Sequence, residues 1–195
     1  PAIAEDHGLP GEIDLWVVRH AITPGGERER AGRQTRMLVR ISPASFASAT
    51  MVDLIRKELA AHGVPGERLW LEAPEAKVFT HLRNAQQFLA DVAPLGCRIG
   101  LEQFGSGLDS FQLLAHFQPQ FLKLDRDFTS DFARTRENSE KIAEITTRAQ
   151  EANIRTIAEF VADNGSMSLL FSAGVDYVQG EFVGPAAPAM NFDFG

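Results

Sequence analysis

Carboxylates, two amides and a lysine fall at one kind of place in this sequence, at the ends of short apolar runs. Glu72 and Glu75 follow Leu69–Leu71, and Glu102 and Gln103 follow Arg98–Leu101. Lys123 lies within Phe121–Leu124 and Asp125 comes next; Glu159 follows Arg155–Ala158, and Gln179 follows Tyr177–Val178. Charge at the end of a buried run is costly unless a partner, a metal or a ligand meets it. One such residue by itself reads as a helix cap or half of an ion pair, as Lys123 would be with Glu159. Five in succession point to a shared site. Phe160, directly after Glu159, is the aromatic residue best placed to stack on a planar base. Gly105-Ser106-Gly107 allows a tight loop and close backbone approach, but lacks the full G-x-G-x-x-G spacing. The five histidines show no metal-ligand spacing and read as surface or helix-end residues; no G-x-S-x-G elbow is present, and Cys97 reads as a small core residue.

The elements that must position these residues alternate between two periodicities. Strands are predicted at Met37–Ile41, Leu69–Glu72, Arg98–Glu102, Phe121–Leu124, Arg155–Ala158 and Tyr177–Gln179. Helical periods cover Glu12–Ile22, Met51–His62, His81–Val92, Ser139–Ala152 and Ser166–Ser172, with Thr50 as an N-cap and Gly63 as a terminator of the second. Thr23–Arg36 is polar and Gly-containing and reads as a solvated loop; Gly184–Gly195 reads as a non-helical terminal arm. Strand then helix, repeated, implies parallel strands with right-handed crossovers, in a doubly wound sheet or a (β/α)8 barrel. A barrel takes about 250 residues, so a 195-residue chain with six units is expected to lack roughly two N-terminal ones.

Composition narrows the function classes. Hydrophobic residues make up 44% of the chain and charged residues 23%, which excludes a disordered chain. No apolar stretch reaches the roughly 20 residues of a membrane-spanning helix, and the start of the chain has no leader pattern. The net charge of −7 argues against a duplex nucleic-acid binder but leaves room for a small anionic ligand in a local pocket. A single cysteine fits a reducing, cytoplasmic setting.

Taken in order, these motifs resemble an EAL domain, the bacterial cyclic di-GMP phosphodiesterase family, over nearly the whole chain. "AEDHGLPGEIDLWVVRHA" is similar to the helix ahead of the family's second strand, "LVRISPASF" to its "NLS" strand and "LWLEAPEAKV" to its "E-x-T-E" strand. "IGLEQFGSGLDSF" resembles "DDFGTGYSSL", "FLKLDRDF" resembles "KIDRSF", "IAEFVAD" resembles "AEGVE" and "YVQGEFVGP" resembles "QGYYFGKP". The resemblance implies one EAL-like domain over residues 1–195, an α/β (β/α)8 TIM-like barrel with its N-terminal strand units, including the EAL motif itself, outside this sequence. Active members use two Mg²⁺ or Mn²⁺ ions to activate water against a phosphodiester. By resemblance Glu72 stands at a metal-ligand position, Glu75 at the acid that steadies the next loop, and Lys123 at the water-orienting lysine; Asp125 and Glu159 stand at further acidic positions. Asp14 and Gln179, with Gly180 beside it, stand near the ligand, Asp14 as an acceptor for a guanine N–H edge.

The departures from the family pattern are informative. Arg40 replaces the metal-binding Asn, and an arginine is a permanent cation without an acceptor. Glu102 and Gln103 replace the paired aspartates, and Pro74 replaces the Thr of "E-x-T-E". Two-metal hydrolysis is therefore expected to fail, leaving Glu72, Glu75, Glu102, Gln103, Lys123 and Asp125 as vestigial positions. Ligand binding is expected to persist through Asp14, Arg40, Glu159, Phe160, Gln179 and Gly180, with Arg40 facing a phosphate in place of a metal. The degenerate pattern, with "IAEFVAD" and the terminal "FDFG", is most like the C-terminal EAL domain of FimX-type proteins. That implies a cyclic di-GMP receptor needing no cofactor, with a PilZ-domain protein as partner in type IV pilus control. A metal-dependent phosphodiesterase with unusual ligands and a ligand-free interaction scaffold are the alternatives.

Overall fold

Six short strands alternate with helices in the computed structural model, which describes residues 9–107, 109–129 and 136–187. The order is α1 (Pro10–Arg30), β1 (Met37–Arg40), α2 (Ala49–His62), β2 (Leu69–Pro74), α3 (Glu75–Thr80), α4 (Leu82–Val92), β3 (Arg98–Phe104) and α5 (Ser110–His116). It continues with β4 (Phe121–Leu124), α6 (Arg126–Thr129), α7 (Arg136–Glu151), β5 (Arg155–Ala158), α8 (Asn164–Ser172) and β6 (Tyr177–Val178). Neighbours in the sheet follow chain order from β1 to β6. The pairs β1–β2, β4–β5 and β5–β6 are parallel, with Arg40 opposite Glu72, Lys123 opposite Ile157 and Ala158 opposite Val178. All six predicted strands are present, Phe121–Leu124 and Arg155–Ala158 with the predicted bounds and the other four with the C-terminal end moved by one or two residues.

The chain divides into two compact units: residues 1–101 with 111–119, and residues 102–110 with 120–195. In the first, Val18 and Ile22 of α1, Met51 and Ile55 of α2, and Leu69 and Leu71 of β2 are buried. In the second, Phe121, Leu122 and Leu124 of β4 are buried with Ile142 and Ile145 of α7 and Leu170 of α8. β4 is buried at all four residues, as a parallel strand covered on both faces must be. Cys97, predicted as a core residue before a strand, is buried just ahead of β3, and burial pushes its thiol up to about 12.

Three local expectations are corrected. Thr23–Arg36 is not a loop throughout, because α1 runs on to Arg30 through Pro24. Its two glycines are buried, and a Cβ on Gly25 would lie 2.2 Å from Met37 Sδ, while one on Gly26 would lie 2.7 Å from His62 Cβ and 2.9 Å from His62 O. The polar pair thus marks where a helix comes very close to β1 and α2. The second helix begins earlier than predicted, and its N-cap is Ser48, whose side chain accepts from the Met51 amide, rather than Thr50. Gly63 does terminate it, in the left-handed conformation at φ 63°. His81–Val92 is a helix only from Leu82, with His81 between α3 and α4 at φ −121°. The terminal arm is non-helical over the described residues 184–187; its remainder, the "FDFG" end and His7 lie outside the described residues.

In the second unit, Asp176 ties the start of β5 to the turn before β6. Its Oδ2 accepts from Thr156 N at 2.8 Å and from Thr156 Oγ1 at 3.1 Å, and Oδ1 pairs with Arg155. Burial opposes the charged form, but these donors and the guanidinium outweigh it and hold the carboxyl below its ordinary 3.8. A depressed carboxylate contributes stability that is present above the ordinary value and lost as pH falls through the folded one. The stability gap between the parent and Asp176→Asn, measured by urea denaturation, is therefore expected to be full at neutral pH and to close as pH drops below 3.8. Gly26→Ala is expected to cost about 1–3 kcal/mol in the same assay, because the α2 backbone has to shift.

Candidate functional site

The predicted site residues fall into two groups, one in each unit. In the first unit, β1 ends at Arg40 and β2 places Glu72 opposite it, with the Ile41 amide donating to Glu72 O at 2.8 Å. Arg40 is exposed, whereas Glu72 and, one residue past the strand end, Glu75 are buried. Asp14 reaches the same region from α1: its Oδ2 accepts from Ser42 N and Ser42 Oγ, each at 2.7 Å, and from Ser45 Oγ at 2.6 Å. Asp14, Arg40 and Ser42 line a cleft of about 410 Å³, with Ile13 and Pro74 supplying apolar wall and Lys77 a second cation. Lys77 and the two serines were not singled out in the sequence; only the fold brings them to Asp14 and Arg40.

In the second unit, Lys123 of β4 is buried and its Nζ lies 2.8 Å from Glu159 Oε1 at the end of β5. The pairing anticipated from sequence is therefore made. The Asp125 amide donates to Phe104 O at 3.1 Å, fixing the end of β4 to the end of β3, and Asp125 Oδ1 accepts from Asp127 N. Glu102 is buried on β3, and Gln103 beside it is exposed in the left-handed region at φ 56°.

Phe160 is also left-handed, at φ 59°, which is unusual for a bulky side chain. The turn is held by Val161 N donating to Gln179 O at 3.1 Å and Phe182 N donating to Val161 O at 3.3 Å. Gly180 is required there, since a Cβ would lie 2.3 Å from Val161 O. This backbone turns the Phe160 ring outward, 48% exposed, with the Arg126 guanidinium 4.5 Å from its centre. Glu159, Phe160, Gln179 and Gly180 line one cleft of about 720 Å³. Sequence reading found those four and missed Arg126, whose only signal is its place after Asp125.

The arrangement offers a carboxylate oriented by a buried ammonium, an exposed aromatic face and a backbone turn. That suits a planar base with an N–H edge. Among the described residues no three His, Cys, Asp or Glu side chains come together as a metal site, and Arg40 sits in register with Glu72. Glu72 Oε2 and Glu102 Oε1 accept no hydrogen bond, although both residues are engaged through other contacts.

Comparison with known proteins places this geometry in context. The family model "EAL domain" matches residues 1–186. The Xanthomonas citri FimX EAL domain, solved in complex with c-diGMP, is 66% identical with a TM-score of 0.96, covering 100% of this chain and 77% of that one. The Pseudomonas aeruginosa FimX EAL domain bound to c-di-GMP is 30% identical with a TM-score of 0.88, covering 100% and 78%. The cyclic di-GMP phosphodiesterase PdeF of Escherichia coli is 26% identical over 97% of this chain, which spans 25% of that protein's length. The chain thus spans about a quarter of the curated relatives it matches.

Breaking the Lys123–Glu159 pair from one side leaves a buried charge short of its partner. Glu159→Gln is expected to cost about 1–3 kcal/mol in urea denaturation, below the figure for a fully buried pair because Glu159 is partly exposed. Lys123→Met added to Glu159→Gln is expected to restore part of that loss.

Proposed function

This chain belongs to the EAL domain family, whose TIM-barrel-like α/β fold it shares, and we propose that it works as a cyclic di-GMP receptor rather than as a phosphodiesterase. The observation that carries the reading is the cleft at the end of β5. There Glu159, anchored by Lys123, offers acceptor oxygens to a guanine N–H edge, and the outward Phe160 ring offers a stacking face. Gln179 and Gly180 complete the wall of that cleft. Within the first unit, Arg40 lines a separate cleft and offers a cation suited to a phosphate. Support comes also from the two FimX EAL domains solved with the same dinucleotide, both covered along the whole of this chain.

Loss of hydrolysis follows from the donor chemistry. Two-metal catalysis needs carboxylate and amide oxygens around both ions, and water activation goes with the ligands. Arg40 brings a permanent cation where the family has an Asn, and Gln103 removes a carboxylate. In this reading Glu72, Glu75, Glu102, Lys123 and Asp125 support the strand ends without activating water. The finer part of the proposal is that ligand occupancy is passed to a PilZ-domain protein in type IV pilus control, the role implied by the FimX-type resemblance. No described helix is long and apolar enough to cross a membrane.

Calorimetric titration of the protein with cyclic di-GMP in EDTA tests the reading. Saturable binding is expected, with no linear dinucleotide formed when Mg²⁺ or Mn²⁺ is then supplied. Metal-dependent turnover would overturn it in favour of a phosphodiesterase, and absence of binding would favour a ligand-free scaffold.

A further inference from the structure

We propose that Arg126 is a positioning residue: its guanidinium holds one face of the Phe160 ring and leaves the other face for a base in the cleft. The inference rests on the receptor reading above and concerns a side chain outside the wall of that cleft. The Phe160 ring lines the cleft of about 720 Å³, whereas Arg126 does not line it. The guanidinium carbon lies 4.5 Å from the ring centre, within the range of a cation–π contact. The ring needs such a hold. Phe160 is 48% exposed, and its backbone is left-handed at φ 59°. The hydrogen bonds from Val161 N to Gln179 O and from Phe182 N to Val161 O fix the backbone there, and with it the direction of the Cα–Cβ bond. They do not choose among the staggered side-chain wells, and a half-exposed ring visits more than one. A flat cation against one face favours the well that keeps the ring beside it.

Arg126 can do this because its own root is fixed. It opens α6, one residue beyond Asp125 at the end of β4. On its N-terminal side the Asp125 amide donates to Phe104 O at 3.1 Å, and Asp125 Oδ1 accepts from Asp127 N at 2.9 Å. On its C-terminal side Phe128 N donates to Asp125 O at 3.2 Å, and Thr129 Oγ1 donates to Arg126 O at 3.3 Å. Asn138 Nδ2 donates to Asp127 O at 3.0 Å, which ties the short helix to α7. Phe128 also packs on Gly105, where a Cβ would lie 2.9 Å from Phe128 Cε2. The contact between Arg126 and Phe160 thus joins two segments whose backbones are each held from several sides. An arginine on a loose loop would lose more freedom in reaching the ring. A ring already held, in turn, loses less freedom on meeting a base.

The experiment is a double-mutant cycle on the protein with cyclic di-GMP as titrant. Arg126→Met keeps an unbranched apolar stem but removes the planar cation. It is expected to weaken binding about three- to fivefold in the parent, the size of one exposed cation–π contact, and less than about 1.5-fold in the Phe160→Leu background. Arg126→Lys keeps the charge without the plane and is expected to fall between the parent and Arg126→Met. The Phe160 ring resonances, assigned by their loss in Phe160→Leu, are read by NMR without ligand. They are expected to move in Arg126→Met toward those of a rotamer-averaged ring, with the unfolding midpoint nearly unchanged. Equal losses of affinity in both backgrounds would overturn the proposal in favour of direct contact between Arg126 and the ligand. Unchanged affinity or unchanged ring resonances would overturn it as well. If the parent protein itself does not bind, the receptor reading falls, and the ring resonances still decide whether Arg126 holds Phe160.

Discussion

Charge carried to the end of a buried strand has to be met there, and that requirement organises the functional ends of both units. Lys123 stands in a strand buried at every residue, so its ammonium needs an anion within reach, and Glu159 supplies it at 2.8 Å. The pair also fixes the carboxylate. An exposed glutamate explores many rotamers; one held by a buried ammonium offers its remaining acceptor sites in a set direction. The same rule operates in the first unit with a different chemistry. There the buried anion is Asp14, on helix α1 rather than at a strand end, and three neutral donors stabilise its charge. In the proposed receptor, polar satisfaction and ligand presentation are thus the same set of contacts.

Backbone strain falls at two strand ends. Gln103, the last residue but one of β3, and Phe160 just after β5 are both non-glycine residues in the left-handed region, at 56° and 59°; Asn153, ahead of β5, is a third among the described residues. Such conformations cost on the order of 1–3 kcal/mol and persist only where the surroundings impose them. Around Phe160 the imposing contacts are visible: the Val161–Gln179 and Phe182–Val161 hydrogen bonds, and a glycine at 180 that lets the two backbones touch. The result is an aromatic ring turned to solvent over Arg126, in a wall shared with Glu159. A residue that would otherwise join the core is kept outside it.

On the receptor reading, the loss of a metal ligand and the gain of a cation happen at one position, Arg40. Arg40 cannot serve as a metal ligand, yet it can neutralise the group that metals neutralise in the active members of the family. In the proposed receptor, the substitution that removes catalysis therefore maintains affinity for a phosphodiester.

The sequence by itself determined the alternation of six strands with helices, because parallel strands covered on both faces leave short, β-branched apolar runs set between helical periods. It determined too that charged residues collect at the ends of those runs, and which of them depart from the family pattern. Helix α1 was legible only to Ile22: Pro24 and two glycines carry the local signature of a loop, whereas in the fold the glycines let the continuing helix pass close to Met37 and to the backbone of His62. The cap at Ser48 rather than Thr50 turned on a single hydrogen bond with no signal in residue type. Only the tertiary structure decided how the site residues are used. The three donors on Asp14 come from residues 28 and 31 positions away, and the Arg126–Phe160 contact joins the ends of two strands. Periodicity encodes which face a residue takes within its own element, whereas its partners across elements are set by how those elements pack.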